Sequence, residues 1–247
     1  GYAIADSFRQ RGVTVVLGGI HVTLLPEEAR QHADCIVRGF AETTWPQLLR
    51  DLEKGNMKSE YYEEVEDLSM LPVPRRDLQK TLSYMVPYTV MITRGCRGSC
   101  DFCSVPAAHY GFKKRPVEDV IEEIRRIPSK RIAISDVHLT DDTDYAKELF
   151  TAMIPLNKEW GALASTRAAS DPELLELMEK SGCKYLLLGF ESINGSSLEK
   201  IHKGFNKVEK YRVVVDTLHH YGITIQGCFI FGFDEDGPEV FQNTIDT

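Results

Sequence analysis

The sequence predicts an α/β fold in two unequal parts, a short Rossmann-like segment followed by a longer parallel sheet with helices outside it. Three observations carry this. Over 1–54 strand and helix patterns alternate, but only two strands are present. The stretch 55–87 has no sustained period and gathers Pro72, Pro74 and Pro87 with an acidic run of Glu60, Glu63, Glu64, Glu66 and Asp67, the composition of a linker. From Tyr88 onward βα units repeat at a length that demands a parallel sheet, open or curled into a barrel.

In the first part, Ala3 to Arg11 is amphipathic and Val13 to Leu17 is β-branched and apolar, ending at Gly18-Gly19. A short helix is expected from Pro26, whose fixed φ suits a first helical position. Cys35-Ile36-Val37 reads as the second strand, and Thr44 to Lys54 as a helix with apolar Trp45, Leu48, Leu49 and Leu52. Two strands cannot bury both faces of a sheet, so the chain is expected to begin inside a domain.

In the second part, strands are expected at 88–93, 131–135, 161–166, 185–189 and 223–231. Helices are expected at 117–127, 143–153, 172–181 and 207–221, with another from Pro238 that the chain end cuts short. Val117, Val120, Ile121, Ile124 and Ile127 fall on one helical face, while Glu118, Glu122, Glu123, Arg125 and Arg126 take the others. Asp171 before Pro172 is a helix cap and Gly182 a helix stop. Tyr211, Val214, Val215 and Leu218 form a core face.

The bulk composition is that of an ordinary globular protein, with 43% hydrophobic and 27% charged residues. No apolar run approaches the ~20 residues of a transmembrane segment, and the N-terminus lacks a signal-peptide pattern. These point to a cytoplasmic protein. A net charge of −8, with no basic block beyond Lys113-Lys114-Arg115, argues against a nucleic-acid partner; that block reads as a solvated loop.

Chemistry concentrates in Thr93-Arg94-Gly95-Cys96-Arg97-Gly98-Ser99-Cys100-Asp101-Phe102-Cys103. Three thiolates within eight residues on a glycine-bearing loop can wrap one compact metal centre, and an Fe–S cluster wants four ligands. Three local cysteines leave one position open, as in catalytic metal sites. Zinc held by the same cysteines and His109, in a non-catalytic zinc-binding or cofactor-sensing module, is the alternative. The loop follows the first strand of the βα series, at the sheet edge where α/β folds place active sites. Cys35, Cys183 and Cys228 have no cysteine neighbours and read as buried structural residues.

Cys-x3-Cys-x2-Cys with Phe102 before the last cysteine resembles the radical S-adenosylmethionine superfamily, and the resemblance extends over 88–247. It implies a partial (β/α) TIM-type barrel, truncated at its C-terminal end. Cys96, Cys100 and Cys103 would be ligands of a 4Fe–4S cluster whose open iron binds S-adenosylmethionine for reductive cleavage to an adenosyl radical. Gly18-Gly19-Ile20-His21-Val22-Thr23, Asp34 to Glu42, and Leu71-Pro72-Val73-Pro74 resemble the end of a cobalamin-binding domain and the connector after it. Together the halves resemble the cobalamin-dependent subgroup that contains class B methyltransferases and the anaerobic ring cyclase of chlorophyll synthesis. This implies cobalamin-dependent methyl transfer, or radical cyclisation or rearrangement, on a small organic or lipid substrate. The implied electron donor is a flavodoxin or ferredoxin.

Cofactor-binding candidates follow. Gly18 and Gly19 would let the backbone approach cobalamin, or mark a plain turn, and His21 lies beside them as a loop residue rather than as the cobalt ligand. Gly189-Phe190-Glu191-Ser192 resembles the family's turn near S-adenosylmethionine; Glu191 would accept hydrogen bonds from it or cap the next helix. Arg167 would pair with the methionine carboxylate or form a surface salt bridge. Gln226 would point into the barrel. Asp136 and His138 are catalytic candidates, alternating to one side of a strand end. Where relatives carry Gly-Glu-x-Glu and paired aspartates, this chain has Gly39-Phe40-Ala41-Glu42 and Asp136-Val137-His138.

Overall fold

The computed structural model describes residues 1–64, 67–69, 71–109 and 111–247, with the side chains of Leu82 and His109 outside that description. Glu66, part of the expected acidic run, falls outside it too.

The first part is α1 (Tyr2–Arg9), β1 (Val16–Gly18), α2 (Ile20–Leu24), α3 (Pro26–Ala29), β2 (Cys35–Gly39), α4 (Ala41–Glu53) and β3 (Glu60–Glu63). The strands form a parallel sheet in the order β1-β2-β3. The third strand lies inside the stretch read as a linker. Its four residues, Glu-Tyr-Tyr-Glu, show no apolar alternation, but Tyr61 is buried and its hydroxyl donates to Asp51 of α4 at 2.8 Å. The sheet therefore has two covered faces. Val22, Ala29 and Ile36 pack on one, and Val37, Leu48 and Tyr61 on the other.

The second part opens with β4 (Thr89–Val90) and a two-stranded antiparallel ribbon of β5 (Thr93–Arg94) and β6 (Lys113–Lys114), with α5 (Val105–His109) between the ribbon strands. The expected single strand over 88–93 is thus broken in two. The βα series continues as α6 (Val117–Arg126), β7 (Arg131–Ile134), α7 (Thr143–Met153), β8 (Glu159–Ala164), α8 (Pro172–Ser181), β9 (Cys183–Glu191), α9 (Gly195–Lys200), α10 (Tyr211–His220), β10 (Thr224–Phe229) and α11 (Val240–Asp246). Five parallel strands stand in the order β4-β7-β8-β9-β10, a partial barrel with its helices outside. No described helix is long and apolar enough to cross a membrane.

One large core holds the series together, running from Val90 and Ile92 through Ile124, Leu149, Phe150 and Trp160 to Leu186, Leu188 and Leu218. Trp160 stacks on Phe150 at 4.9 Å, and its indole N–H donates to the Ser181 carbonyl at 3.1 Å. The expected cap at Asp171 is present, accepting from the Leu174 amide at 3.0 Å, and Gly182 ends the helix in the left-handed region.

Two charged residues expected in solvent are in the interior. Arg115 and Glu123 are 5% and 2% exposed and pair at 2.7 Å. Arg76, in the connector, grips the other Glu123 oxygen and the Thr89 carbonyl. Arg115 also donates to the Met91 carbonyl at 2.8 Å. One carboxylate thus binds two guanidiniums, which tie the connector and β6 to the first barrel strand. Removing one partner from a buried pair leaves uncompensated charge. Glu123→Ala is expected to cost about 3–5 kcal/mol of unfolding free energy. Glu122→Ala, on the same helix but exposed, is expected to leave stability almost unchanged, since exposed ion pairs contribute little. Guanidinium unfolding of both variants beside wild type measures the contrast.

Candidate active site

The cysteine loop runs from β5 to α5 and is fixed at its start by Asp136, two residues past β7. Asp136 accepts hydrogen bonds from the Ile92 amide, the Thr93 amide and the Thr93 hydroxyl, all at 2.7 Å. Burial pushes its carboxyl up to about 6, against the downward pull of these bonds. This corrects the expectation that Asp136 shares the reaction space with His138. Its side chain is spent on the backbone, away from the cavity that His138 lines.

That cavity, of about 520 Å³, is lined by Cys96, Cys100 and Cys103, with His138 and Asp141 from the loop after β7. Leu163, Leu187 and Cys228 line it from the inner face of the sheet, and Arg167, Glu191, Lys203 and Phe205 close its far wall. The loop is shaped for closely spaced thiolates. The Gly98 amide donates to Cys96 Sγ at 3.2 Å. A Cβ at Gly98 would sit 3.2 Å from Cys96 Sγ and 3.9 Å from Cys100 Sγ, filling the space the sulfurs face. Three soft donors on one loop around such a cradle fit an Fe–S cluster with one iron left open.

Glu191 and Lys203 pair at 2.6 Å with side chains 9% and 14% exposed. Gly189 permits this, because a Cβ there would lie 2.1 Å from Glu191 Oε1 and 2.9 Å from Lys203 Nζ. Glu191 has φ +67, a strained backbone. It is not the cap of the next helix; Asn194 caps α9, accepting from the amides of Ser196 and Ser197. Burial pushes the Cys100 thiol up, and the Lys203 charge draws it partly back. The Arg167 guanidinium stacks over Phe205 at 4.0 Å. His202, with φ +59, bonds through Nδ1 to the Ser99 carbonyl and Asp101, both at 2.9 Å, pinning the far wall to the cysteine loop.

The remaining candidates sort as follows. Ser192 is buried behind the turn, accepting from the Asn194 amide and the Tyr211 hydroxyl, outside the cavity lining. Gln226 pairs in register with inward-facing Leu187 and contacts the Tyr185 hydroxyl. Cys35 and Cys183 are buried as expected, but Cys228 faces the cavity. Gly18 ends β1, Gly19 with φ +100 precedes α2, and His21 is exposed near Glu28 at 3.6 Å. Helix α2, which carries His21, packs on α5. At the same junction Arg94 forms a two-pronged pair with Glu42, one contact at 3.1 Å, and lies over the Phe40 ring at 4.4 Å. The C-terminal edge of the first sheet thereby meets the start of the cysteine loop. The expected zinc ligand His109 has its side chain outside the described residues.

Sequence reasoning missed Arg94, Asp141, His202, Lys203 and Phe205. Only Arg94, two residues before Cys96, carried a local signal.

Burial alone would lower His138, but hydrogen bonds to Asp141 at 3.3 Å and Cys96 at 3.7 Å raise it from 6.5 to about 9. A raised folded pKa stabilises fully below the unfolded value, and that stability is lost as pH rises through the folded value. In reduced, cluster-free protein the His138 contribution should be complete below about pH 6.5 and gone above about 9. Asp141→Asn should flatten this part of the profile of urea midpoint against pH.

Comparison with known proteins gives the chain its family. The bacteriochlorophyllide d C-12(1)-methyltransferase of Chlorobaculum tepidum is 34% identical over 260 residues, 99% of this chain and 56% of that protein. The C-8(2)-methyltransferase of the same organism is 30% identical over 259 residues, 93% of this chain and 55% of that protein. The chain therefore spans about half the length of these curated relatives. Among solved structures, the radical S-adenosylmethionine methyltransferase TsrM from Kitasatospora setae superposes with TM-score 0.81 at 18% identity, covering 99% of this chain and 55% of TsrM. The cobalamin-dependent radical enzyme OxsB superposes with TM-score 0.77 at 16% identity, covering 99% of this chain and 40% of OxsB. Both likenesses show a shared fold across the two parts of the chain, and a zinc-binding or sensing module has no counterpart among these matches. Residues 90–247 match the profile of the Radical SAM superfamily, and the chain belongs to it.

Proposed function

We propose that this chain is the cofactor-binding portion of a cobalamin-dependent radical S-adenosylmethionine methyltransferase. The observation that carries the reading is the single cavity into which three cysteine sulfurs, a Glu191–Lys203 pair and Arg167 all face. Cys96, Cys100 and Cys103 would hold three irons of a 4Fe–4S cluster. When bound, the cluster supplies one electron for cleavage of the sulfonium, as one-electron chemistry in such enzymes is the cofactor's own.

The chain's residues do the rest. Glu191 offers a carboxylate, and Lys203 and Arg167 offer cations, to the zwitterionic end of S-adenosylmethionine. Arg167 can grip a carboxylate with two parallel hydrogen bonds. Its stacking on Phe205 keeps the guanidinium plane fixed toward the cavity. Leu163 and Leu187 give the floor an apolar surface that excludes water. Cobalamin would lie at the C-terminal edge of the three-stranded sheet, near Gly18, Gly19 and His21. The Arg94–Glu42 pair would hold that edge against the cysteine loop.

Methyl transfer is favoured over cyclisation because the curated relatives that cover most of this chain are named as methyltransferases of bacteriochlorophyllides. We infer a small organic or lipid acceptor of that size class, and a flavodoxin or ferredoxin as electron donor.

The test is anaerobic reconstitution with iron and sulfide, reduction, and addition of S-adenosylmethionine with hydroxocobalamin. Wild type is expected to carry four irons, to release deoxyadenosine and to give the absorption spectrum of methylcobalamin. Cys100→Ala should lower cleavage by more than ~100-fold, beyond the loss from an outer-shell partner. Cleavage that survives loss of Cys100 would sink the reading.

A further inference from the structure

We propose that His138, held by Asp141, donates a hydrogen bond to the Cys96 sulfur and thereby raises the reduction potential of the cluster. It is a positioning residue and not a proton carrier. The inference rests on the reading of the cysteine triad as a cluster site.

The geometry is a closed ring of contacts. The Arg97 amide, next in sequence to Cys96, donates to Asp141 Oδ2 at 2.6 Å. Asp141 Oδ1 faces His138 Nδ1 at 3.3 Å, and the same Nδ1 lies 3.7 Å from Cys96 Sγ. Both neighbours of Nδ1 are acceptors once the thiol has become a metal-bound thiolate, so Nδ1 carries the proton. This holds whether or not the ring is charged. The His138 side chain is 17% exposed, and its Nε2 is buried with no hydrogen-bond partner among the described residues. The ring is therefore aimed through Nδ1 alone.

The arrangement singles out one cysteine. Cys96 Sγ receives the Gly98 amide and His138, whereas among the described residues no donor reaches Cys100 or Cys103 Sγ. The ligand-type atoms of Cys96, His138 and Asp141 lie within 4.8 Å of one another. With the Cys96 sulfur committed to the cluster, the other two groups form its outer shell. A donor beside a coordinating sulfur withdraws electron density and favours the reduced cluster, which carries one more negative charge.

The experiment is an anaerobic redox titration followed by electron paramagnetic resonance, on reconstituted protein without S-adenosylmethionine. Wild type, His138→Leu, His138→Gln and His138→Phe are compared after iron and sulfide analysis. His138→Leu should titrate lower, so that the reduced-to-oxidised ratio at the wild-type midpoint falls about tenfold, or 59 mV for a one-electron couple. His138→Gln, which keeps an N–H donor, should recover most of the shift, and His138→Phe, which keeps a ring without a donor, should titrate as His138→Leu does. A fully loaded His138→Leu cluster at the wild-type potential would overturn the proposal. If that variant does not hold four irons, His138→Phe decides, and a wild-type potential there overturns it equally. Wild type that takes up no cluster overturns both the proposal and the reading beneath it, and the iron count tells that failure apart.

Discussion

Asp136, two residues past β7, has its carboxylate folded back onto Ile92 and Thr93, whose three donors meet it at 2.7 Å. The chain leaves β4 at this point and would otherwise continue along the barrel. Binding two successive amides turns it, and the turned segment becomes one strand of the short ribbon that precedes Cys96. The direction of the cysteine loop, the place of Arg94 against Glu42 and the facing of the three sulfurs all follow from that turn. Burying a carboxylate is costly, and burial has carried its pKa up to about 6 even with three donors. Such a group is kept for geometry. The same contact specifies the barrel register at β4, where only two residues pair with β7.

Around that turn the structure uses cations as ties rather than as surface solubilisers. Arg94 joins the cysteine loop to the first sheet through Glu42 and the Phe40 ring. Arg76 and Arg115 bring the connector and β6 onto Glu123 and onto the carbonyls of Thr89 and Met91. Each guanidinium serves two acceptors with a planar fork, which an ammonium could not match. The strand β4 is only two residues long, and the arginines hold the Thr89 carbonyl within it and the Met91 carbonyl just past it. A two-residue strand becomes a fixed origin for the reactive loop by this means.

What was legible in the sequence was whatever repeats or clusters locally. The apolar face of α6, the cap at Asp171 and the cysteine spacing are all written within one or two helical turns. The long core strands β8 and β9 were found because several apolar residues run together. Illegible features depend on partners far along the chain. Tyr61 makes β3 a strand only because α4 and β2 cover it, and Glu123 looks like a surface residue until Arg76, 47 positions away, reaches it. Lys203 and Phe205 enter the cavity from a segment with no periodic pattern. Asp136 reads as a catalytic candidate from its place near a strand end, because alternation tells which side a residue takes but not whether the backbone has already claimed it.

The cavity wall is built from strand ends on one side and from the cysteine loop on the other. Glu191 sits at φ +67, Gly189 has no Cβ to obstruct it, and Lys203 closes on it from the segment after α9. A strained backbone persists where the surroundings over-determine it, and here β10 helps, because the Ile230 amide donates to the Glu191 carbonyl at 2.8 Å. The carboxylate is therefore placed by strand ends, while the sulfurs are placed by a loop. His202 is the bridge between them, rooted beside Lys203 and bonded to the Ser99 carbonyl inside the cysteine motif. The geometry thus ties the Glu191–Lys203 wall to the cysteine loop through His202.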